Sequence, residues 1–267
     1  MEGIIIVGYG RMGKEIERQA AEMDVRVCGV ADSYEQLEQL DRDGKLKATS
    51  QGSPVAIEFT CGAAAVRNLD YLLKHDVPTV CGSTPWKDDT HGGTRKLCLE
   101  RKGHLMFSNN YSIGVNIFWR VVRQTSRLLD NFAQYDISIH EQHHNKKADS
   151  PSGTAVSTAQ IVLEEVGRKT EMLCGNPQDP DGRDRPIAAK ELQISSQRLG
   201  RVAGVHQLLC DSPEDSIVVS HSAHNRTGFA RGAIVAAQFL HRQVCDDKPG
   251  FFTMDDLMDH FLTAQLS

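Results

Sequence analysis

The sequence has no long apolar run. No window in its 267 residues approaches the roughly 20 apolar positions a membrane-spanning helix needs. The longest opening run, Ile4 to Val7, has neither the length nor the basic flank of a signal peptide, so a cytoplasmic chain is expected. An excess of basic charge is also missing. Thirty Lys and Arg stand against 35 Asp and Glu, a formal net charge of −5, which argues against a nucleic-acid or anionic-membrane partner. There is no C-x-x-C pair: the seven cysteines (Cys28, Cys61, Cys81, Cys98, Cys174, Cys210, Cys245) are odd in number and widely scattered, as buried free thiols of a reducing compartment are. Internal repeats and low-complexity tracts are absent too. What remains, 40% hydrophobic and 24% charged residues, is an ordinary globular composition with the length for one or two domains.

The first 85 residues alternate strand-like and helix-like blocks. Gly3 to Val7 is a continuous aliphatic run, suited to a strand buried on both faces. A helical stretch (Met12 to Met23), a β-rich one (Val25 to Ala31), a polar helical one (Tyr34 to Leu40), a strand (Val55 to Thr60), a helix (Ala63 to His75) and a strand (Thr79 to Cys81) follow. Such alternation implies right-handed crossovers and a parallel sheet covered on both faces, an α/β fold. After about residue 112 the pattern changes. Ile113 to Leu129 reads as one long helix, Tyr135 to His140 as a half-buried strand, Gly153 to Val166 as a helix, and Glu191 to Arg198 and Ser216 to His221 as strands. This predicts a second, α+β domain. Gly175 to Pro186, with three prolines and three aspartates, is a surface loop, and helices close the chain at Gly228 to Leu240 and Met254 to Leu262.

Gly8-Tyr9-Gly10-Arg11-Met12-Gly13 is G-x-G-x-x-G directly after a strand and opening a helix, the context that makes the motif a dinucleotide site. The first glycine allows the tight turn, the second lets backbone approach a pyrophosphate, and the third lets helix and strand pack closely. Asp32, nineteen residues after Gly13, ends the second strand, where an acid binds a ribose 2′-hydroxyl. Asp32 would repel a 2′-phosphate, and Ser33 and Tyr34 bring no cation, although Arg11 has the length to reach one. NADH is therefore the expected cofactor, with NADPH tolerated.

The densest chemistry lies in His140-Glu141-Gln142-His143-His144-Asn145-Lys146-Lys147-Ala148-Asp149-Ser150-Pro151-Ser152-Gly153-Thr154. His140 to His144 fits H-E-x-x-H, but that zinc signature works only on a helix, where imidazoles four apart share a face. Here a β-alternating segment leads in, and Asp149, Pro151 and Gly153 follow, so no metal is expected. Ser152, Gly153 and Thr154 open a helix and offer backbone and hydroxyl donors to a carboxylate. Lys147 adds positive charge, and a histidine can move a proton near neutral pH.

This block resembles the E-x-H-H-x-x-K-x-D-x-P-S-G-T signature of the 4-hydroxy-tetrahydrodipicolinate reductase (dihydrodipicolinate reductase) family. Phe59-Thr60, Gly82-Ser83-Thr84, Asn110 to Asn116, and the segment from His221 to Ala233 fall in the family's order. The resemblance implies a Rossmann-like domain over residues 1–112, completed by 224–267, and a smaller substrate-binding and tetramerisation domain over 113–223. It implies reduction of a cyclic dicarboxylate in lysine (diaminopimelate) biosynthesis, with hydride from NADH or NADPH, by a homotetramer. By position, His143 and Lys147 look like the proton-handling groups, and His144, Ser152, Gly153 and Thr154 hold substrate. Gly82 to Thr84 and Ser108, Asn109, Asn110 and Tyr111 contact the nicotinamide half of the cofactor, which Phe59 and Thr60 also help to bind. The competing readings are another imine or amino-acid dehydrogenase on the same scaffold and an NAD(H)-binding sensor without catalysis.

Overall fold

The computed structural model describes residues 1–50, 52–83 and 92–264. It divides into two compact units, one formed by Met1–Ile113 together with the chain from Thr227 onward, the other by Gly114–Arg226.

The first unit is built on a six-stranded parallel sheet. Its strands are β1 (Ile4–Val7), β2 (Val27–Ala31), β3 (Val55–Glu58), β4 (Thr79–Cys81), β5 (His104–Phe107) and, from the end of the chain, β11 (Gly250–Phe252). Their order is β11-β5-β4-β3-β1-β2. The aliphatic run of β1 is fully buried because alternate residues serve opposite faces. Ile4 and Ile6 join a core with helices α1 (Arg11–Glu22), α7 (Thr227–Cys245) and α8 (Met254–Ala264). Ile5 and Val7 pack instead with Leu37 of α2 (Tyr34–Arg42) and Leu72 of α3 (Gly62–Lys74). A third cluster joins α3 to Cys98 of α4 (Gly92–Glu100) and Leu105 of β5. No helix among the described residues is long and apolar enough to cross a membrane.

The second unit carries a five-stranded mixed sheet ordered β10-β9-β6-β8-β7. The strands are β6 (Asp136–His143), β7 (Glu171–Cys174), β8 (Glu191–Arg198), β9 (Gly204–Asp211) and β10 (Ser216–Ala223). Ile137, Ile139, Leu192, Ile194, Leu208 and Cys210 form one apolar face, packed against Phe118 and Val122 of α5 (Ile113–Asp130) and Ala155, Ala159 and Val162 of α6 (Gly153–Glu165).

Two differences from the sequence expectation bear on function. Strand β6 does not stop at His140 but runs on to His143, so the histidine block begins on a strand rather than in a loop. Strand β9 was not anticipated: in Gly-Val-His-Gln-Leu-Leu-Cys-Asp neither face is uniformly apolar, which blurs the period-two signal. The short β5, β7 and β11 and helix α4 also lacked a periodic pattern. The segment from Gly175 to Pro186 is a largely exposed loop, closed by a bridge between Gln178 and Asp184.

Candidate active site

In the first unit the three glycines of the loop have three separate tasks. Gly8 sits at φ +95°, and a Cβ there would lie 2.5 Å from the Phe59 carbonyl oxygen. Gly13 packs so closely that a Cβ would be 2.1 Å from the oxygen of Gly8. Gly10, the N-cap of α1, faces open space. The first turn of α1 holds no acidic residue, and no side chain caps it, so its N–H end is available to an anion. Arg11 is exposed at the same end, and Met12 packs on the core.

Asp32 lies where β2 ends, and its Oδ1 accepts the Tyr9 N–H at 2.6 Å. The acid thus also fixes the loop's shape. No cation flanks it in sequence; at Tyr34, two residues on, the Arg67 guanidinium of α3 lies 3.5 Å from the ring centre.

Around the ends of β3 and β4, the Thr60 hydroxyl and N–H both donate to Glu58, and the Phe59 ring packs 5.9 Å from that of Tyr111. Gly82 admits that ring, since a Cβ would lie 2.2 Å from it. Ser83 is buried with no hydrogen-bond partner for its hydroxyl among the described residues; Thr84 lies outside them. Ser108 Oγ accepts the Asn110 N–H at 3.0 Å, and Asn110 Oδ1 accepts the Ser112 N–H at 3.0 Å. The Tyr111 hydroxyl faces the carbonyls of Cys81 (2.8 Å) and Met106 (3.0 Å) inside the core. Of this turn, Asn109 is the exposed member. Ser108, Asn110 and Tyr111 thus shape the turn by internal hydrogen bonds.

In the second unit the sheet register assembles the chemistry. Along β6 the buried positions are Ile137, Ile139, Glu141 and His143, so one face changes from aliphatic to ionisable. On β8, Ser196 lies beside Glu141 and Arg198 beside His143; on β9, His206 lies opposite Glu141. Glu141 is fully buried. One of its oxygens accepts from His143 Nδ1, and the other receives Arg198 Nη1 at 2.9 Å. Burial pushes its carboxyl up, but hydrogen bonds from His143, Ser196 and Arg198 outweigh burial and hold it at about 2. His206 stands edge-on to His143 with ring centres 5.2 Å apart, and its Nε2 meets Ser152 Oγ at 3.1 Å. Burial first, then the electrostatic influence of His143, pushes His206 down to about 3, so it is neutral.

The loop after β6 brings the remaining residues. Lys147 Nζ contacts both oxygens of Asp149, at 2.8 and 2.9 Å, and lowers that carboxyl's pKa. Arg198 Nη2 donates to the Asp149 carbonyl at 2.7 Å, which ties this loop to the end of the sheet. His144 is half-buried, with its Nδ1 lacking a partner among the described residues. Ser152 caps α6, its Oγ accepting the Ala155 N–H at 3.2 Å. Gly153 is exposed and Thr154 half-buried at the helix start. With its Oγ engaged by the cap and His206, buried Ser152 orients this end.

Glu141, His143 and His206 place ligand atoms within 4.8 Å of one another. The Glu141 carboxylate, however, already accepts from three protein donors, one a guanidinium, which suits a proton network better than a cation. The H-E-x-x-H spacing lies on extended backbone, where residues four apart do not chelate as they do on a helix.

Sequence reasoning passed over Glu141, Arg198 and His206. Glu141 was legible, since it continues the alternation Ile137, Ile139; His206 and the placing of Arg198 needed the register.

Both halves of this arrangement have counterparts among known proteins. Residues 3–111 match the family model described as dihydrodipicolinate reductase, N-terminus, and residues 114–258 match its C-terminus. The chain belongs to the dihydrodipicolinate reductase family. Among curated relatives, a 4-hydroxy-tetrahydrodipicolinate reductase of Christiangramia forsetii is 34% identical over 255 residues, 96% of this chain and 97% of that one. One of Methanococcoides burtonii is 31% identical, covering 92% and 85%. Among solved structures, a dipicolinate-bound dihydrodipicolinate reductase from Paenisporosarcina sp. TG-14 shares the fold of this family member, with a TM-score of 0.68 at 19% identity, covering 95% of this chain and 98% of that one.

Proposed function

We propose that the chain is a 4-hydroxy-tetrahydrodipicolinate reductase of the diaminopimelate route to lysine. It converts 4-hydroxy-tetrahydrodipicolinate, NAD(P)H and a proton to tetrahydrodipicolinate, NAD(P)⁺ and water. The observation that carries the reading is the Glu141–His143 pair at a sheet end, beside a Lys147 loop and a capped helix start, in a chain matching both halves of the family. A sensor would not need that proton-handling pair.

The dinucleotide fits the loop of Gly8, Tyr9, Gly10, Arg11, Met12 and Gly13, where open space at Gly10 and the uncapped N–H end of α1 suit a pyrophosphate. Asp32 would hold a ribose hydroxyl, which favours NADH, while Arg67 gives NADPH a foothold. When bound, the cofactor supplies hydride. The protein's own part is electrostatic and acid–base. Backbone N–H groups at Gly153 and Thr154 and the His144 side chain would receive the carboxylates, with Lys147 turning from Asp149 to the dianion. His143 exchanges a proton at Nε2, the nitrogen not taken by Glu141. The working form is a homotetramer in the cytoplasm.

The test is direct. Purified protein, given freshly made dihydrodipicolinate-synthase product, should oxidise NADH and NADPH, followed by absorbance in parallel. Tight cofactor binding without turnover would favour the sensor; turnover only with other imines would favour a sister dehydrogenase.

A further inference from the structure

The end of β6 holds a buried charge that acid–base chemistry at His143 does not by itself explain. Glu141 has no solvent exposure, and leaving a carboxylate there requires compensation on every side. The fold provides it: Arg198 Nη1 at 2.9 Å on one oxygen, Ser196 beside it in the β8 register, and His143 Nδ1 on the other oxygen. Arg198 is itself fixed, donating also to the carbonyls of Gln197 (2.9 Å) and Asp149 (2.7 Å). The carboxylate can therefore neither swing away from His143 nor trade partners.

We propose that Glu141 is a positioning residue that fixes the tautomer of His143, with Arg198 as its clamp. This rests on the reading of His143 as the proton-handling group. An ionised carboxylate can only accept, so the His143 nitrogen facing it must carry hydrogen. Glu141 remains ionised through the neutral range because its partners hold its carboxyl down. Nδ1 is thereby permanently the donor to Glu141, and Nε2 is permanently the atom presented to substrate. Gly204 supports this, since a Cβ at that position would stand 3.0 Å from His143 Nε2 and crowd the working nitrogen. His206 contributes by staying neutral, so that no competing charge faces the ring. The other charged groups nearby are Lys147 and Asp149, which pair with each other.

The tautomer can be read by ¹⁵N-detected NMR of histidine-labelled protein, with His143 assigned by its loss in His143→Gln. The neutral His143 ring of the wild type should be protonated at Nδ1. In Glu141→Gln the carboxamide N–H₂ can face the ring, and the population should move toward Nε2–H. Its kcat should fall by up to about 10⁴-fold, the loss seen when a catalytic histidine is held in the wrong tautomer, with KM and the Kd for NADH near wild type. Glu141→Asp should recover part of kcat. A wild-type ring protonated at Nε2 would overturn the proposal even if no Glu141 variant folds. So would loss of kcat in Glu141→Gln with an unchanged tautomer, which marks a merely structural role. If His143→Gln itself keeps wild-type kcat, the acid–base reading fails, whatever tautomer Glu141 imposes.

Discussion

Asp32 has two tasks, and its replacement should reveal both. It holds the Tyr9 N–H, and it would accept from a ribose hydroxyl while repelling a 2′-phosphate. Asp32→Ala should weaken NADH and narrow the gap to NADPH, whereas Arg67→Ala should widen that gap by removing the cation on Tyr34. Dissociation constants for both cofactors decide it. A wild-type preference for NADPH of tenfold, about 1.4 kcal/mol, would refute the assignment. Among the proposed proton-handling residues, His143→Gln should lower kcat by about 10²- to 10⁴-fold with little change in KM, because proton transfer acts in the transition state. Lys147→Ala should damage both constants, because a cation that binds a carboxylate in the ground state also stabilises developing charge. Steady-state kinetics with intact NADH binding as the control would show it; equal kcat in wild type and His143→Gln would move the proton elsewhere.

At the scale of elements, the ionisable end of the second sheet makes folding depend on pH. His206 is neutral in the fold with a pKa of about 3, against an ordinary 6.5. Between those values the unfolded chain binds more protons, so stability is full above 6.5 and falls as pH drops toward 3, by at most roughly 5 kcal/mol. Glu141 acts in the same direction at lower pH: held at about 2 against 4.5, its contribution is present above 4.5 and lost as pH falls toward 2. Thermal unfolding should show Tm declining from pH 6.5 to 4, and His206→Asn should flatten that decline. A flat wild-type curve, or an unaltered slope in the variant, would count against the account. The same elements show what a sequence can carry. The parallel-sheet strand Ile4–Val7 was legible because burial on both faces demands an unbroken apolar run, and Val55–Glu58 and Thr79–Cys81 were legible from their β-branched residues. The G-x-G-x-x-G turn was legible from local chemistry, as was the density of polar groups around His143. Arg198 and His206 were not, because they lie 55 and 63 residues beyond His143 and reach it only through strand pairing.

At the scale of the molecule, exposed apolar side chains in the second unit point to self-association. Ile217 and Val218 are exposed on the edge strand β10, as are Ile117, Val121 and Leu128 along α5 and Phe132 just past its end. An uncovered edge with apolar flanks invites a second copy. Light scattering at micromolar concentration should give four times 29.5 kDa, about 118 kDa. A mass near 30 kDa would exclude the tetramer, and Val218→Asp should lower the mass if this edge is the contact.

The first unit is closed by α7, whose Ala230, Ala233, Ile234, Ala236, Ala237 and Leu240 sit in the same core as Ile4, Ile6 and Ile57. Residues Gly114–Arg226 come between the two parts of that core in the chain. A ribosome therefore completes the second unit before it releases the helix that the first one requires. The order of birth is the reverse of the order in the chain: the inserted unit can fold while the first unit still waits with an open sheet face. Chains halted at Arg226 should show a protease-resistant fragment starting near Gly114 and a digestible first half. Resistance over residues 1–113 would mean that the sheet can hold itself without its last helix.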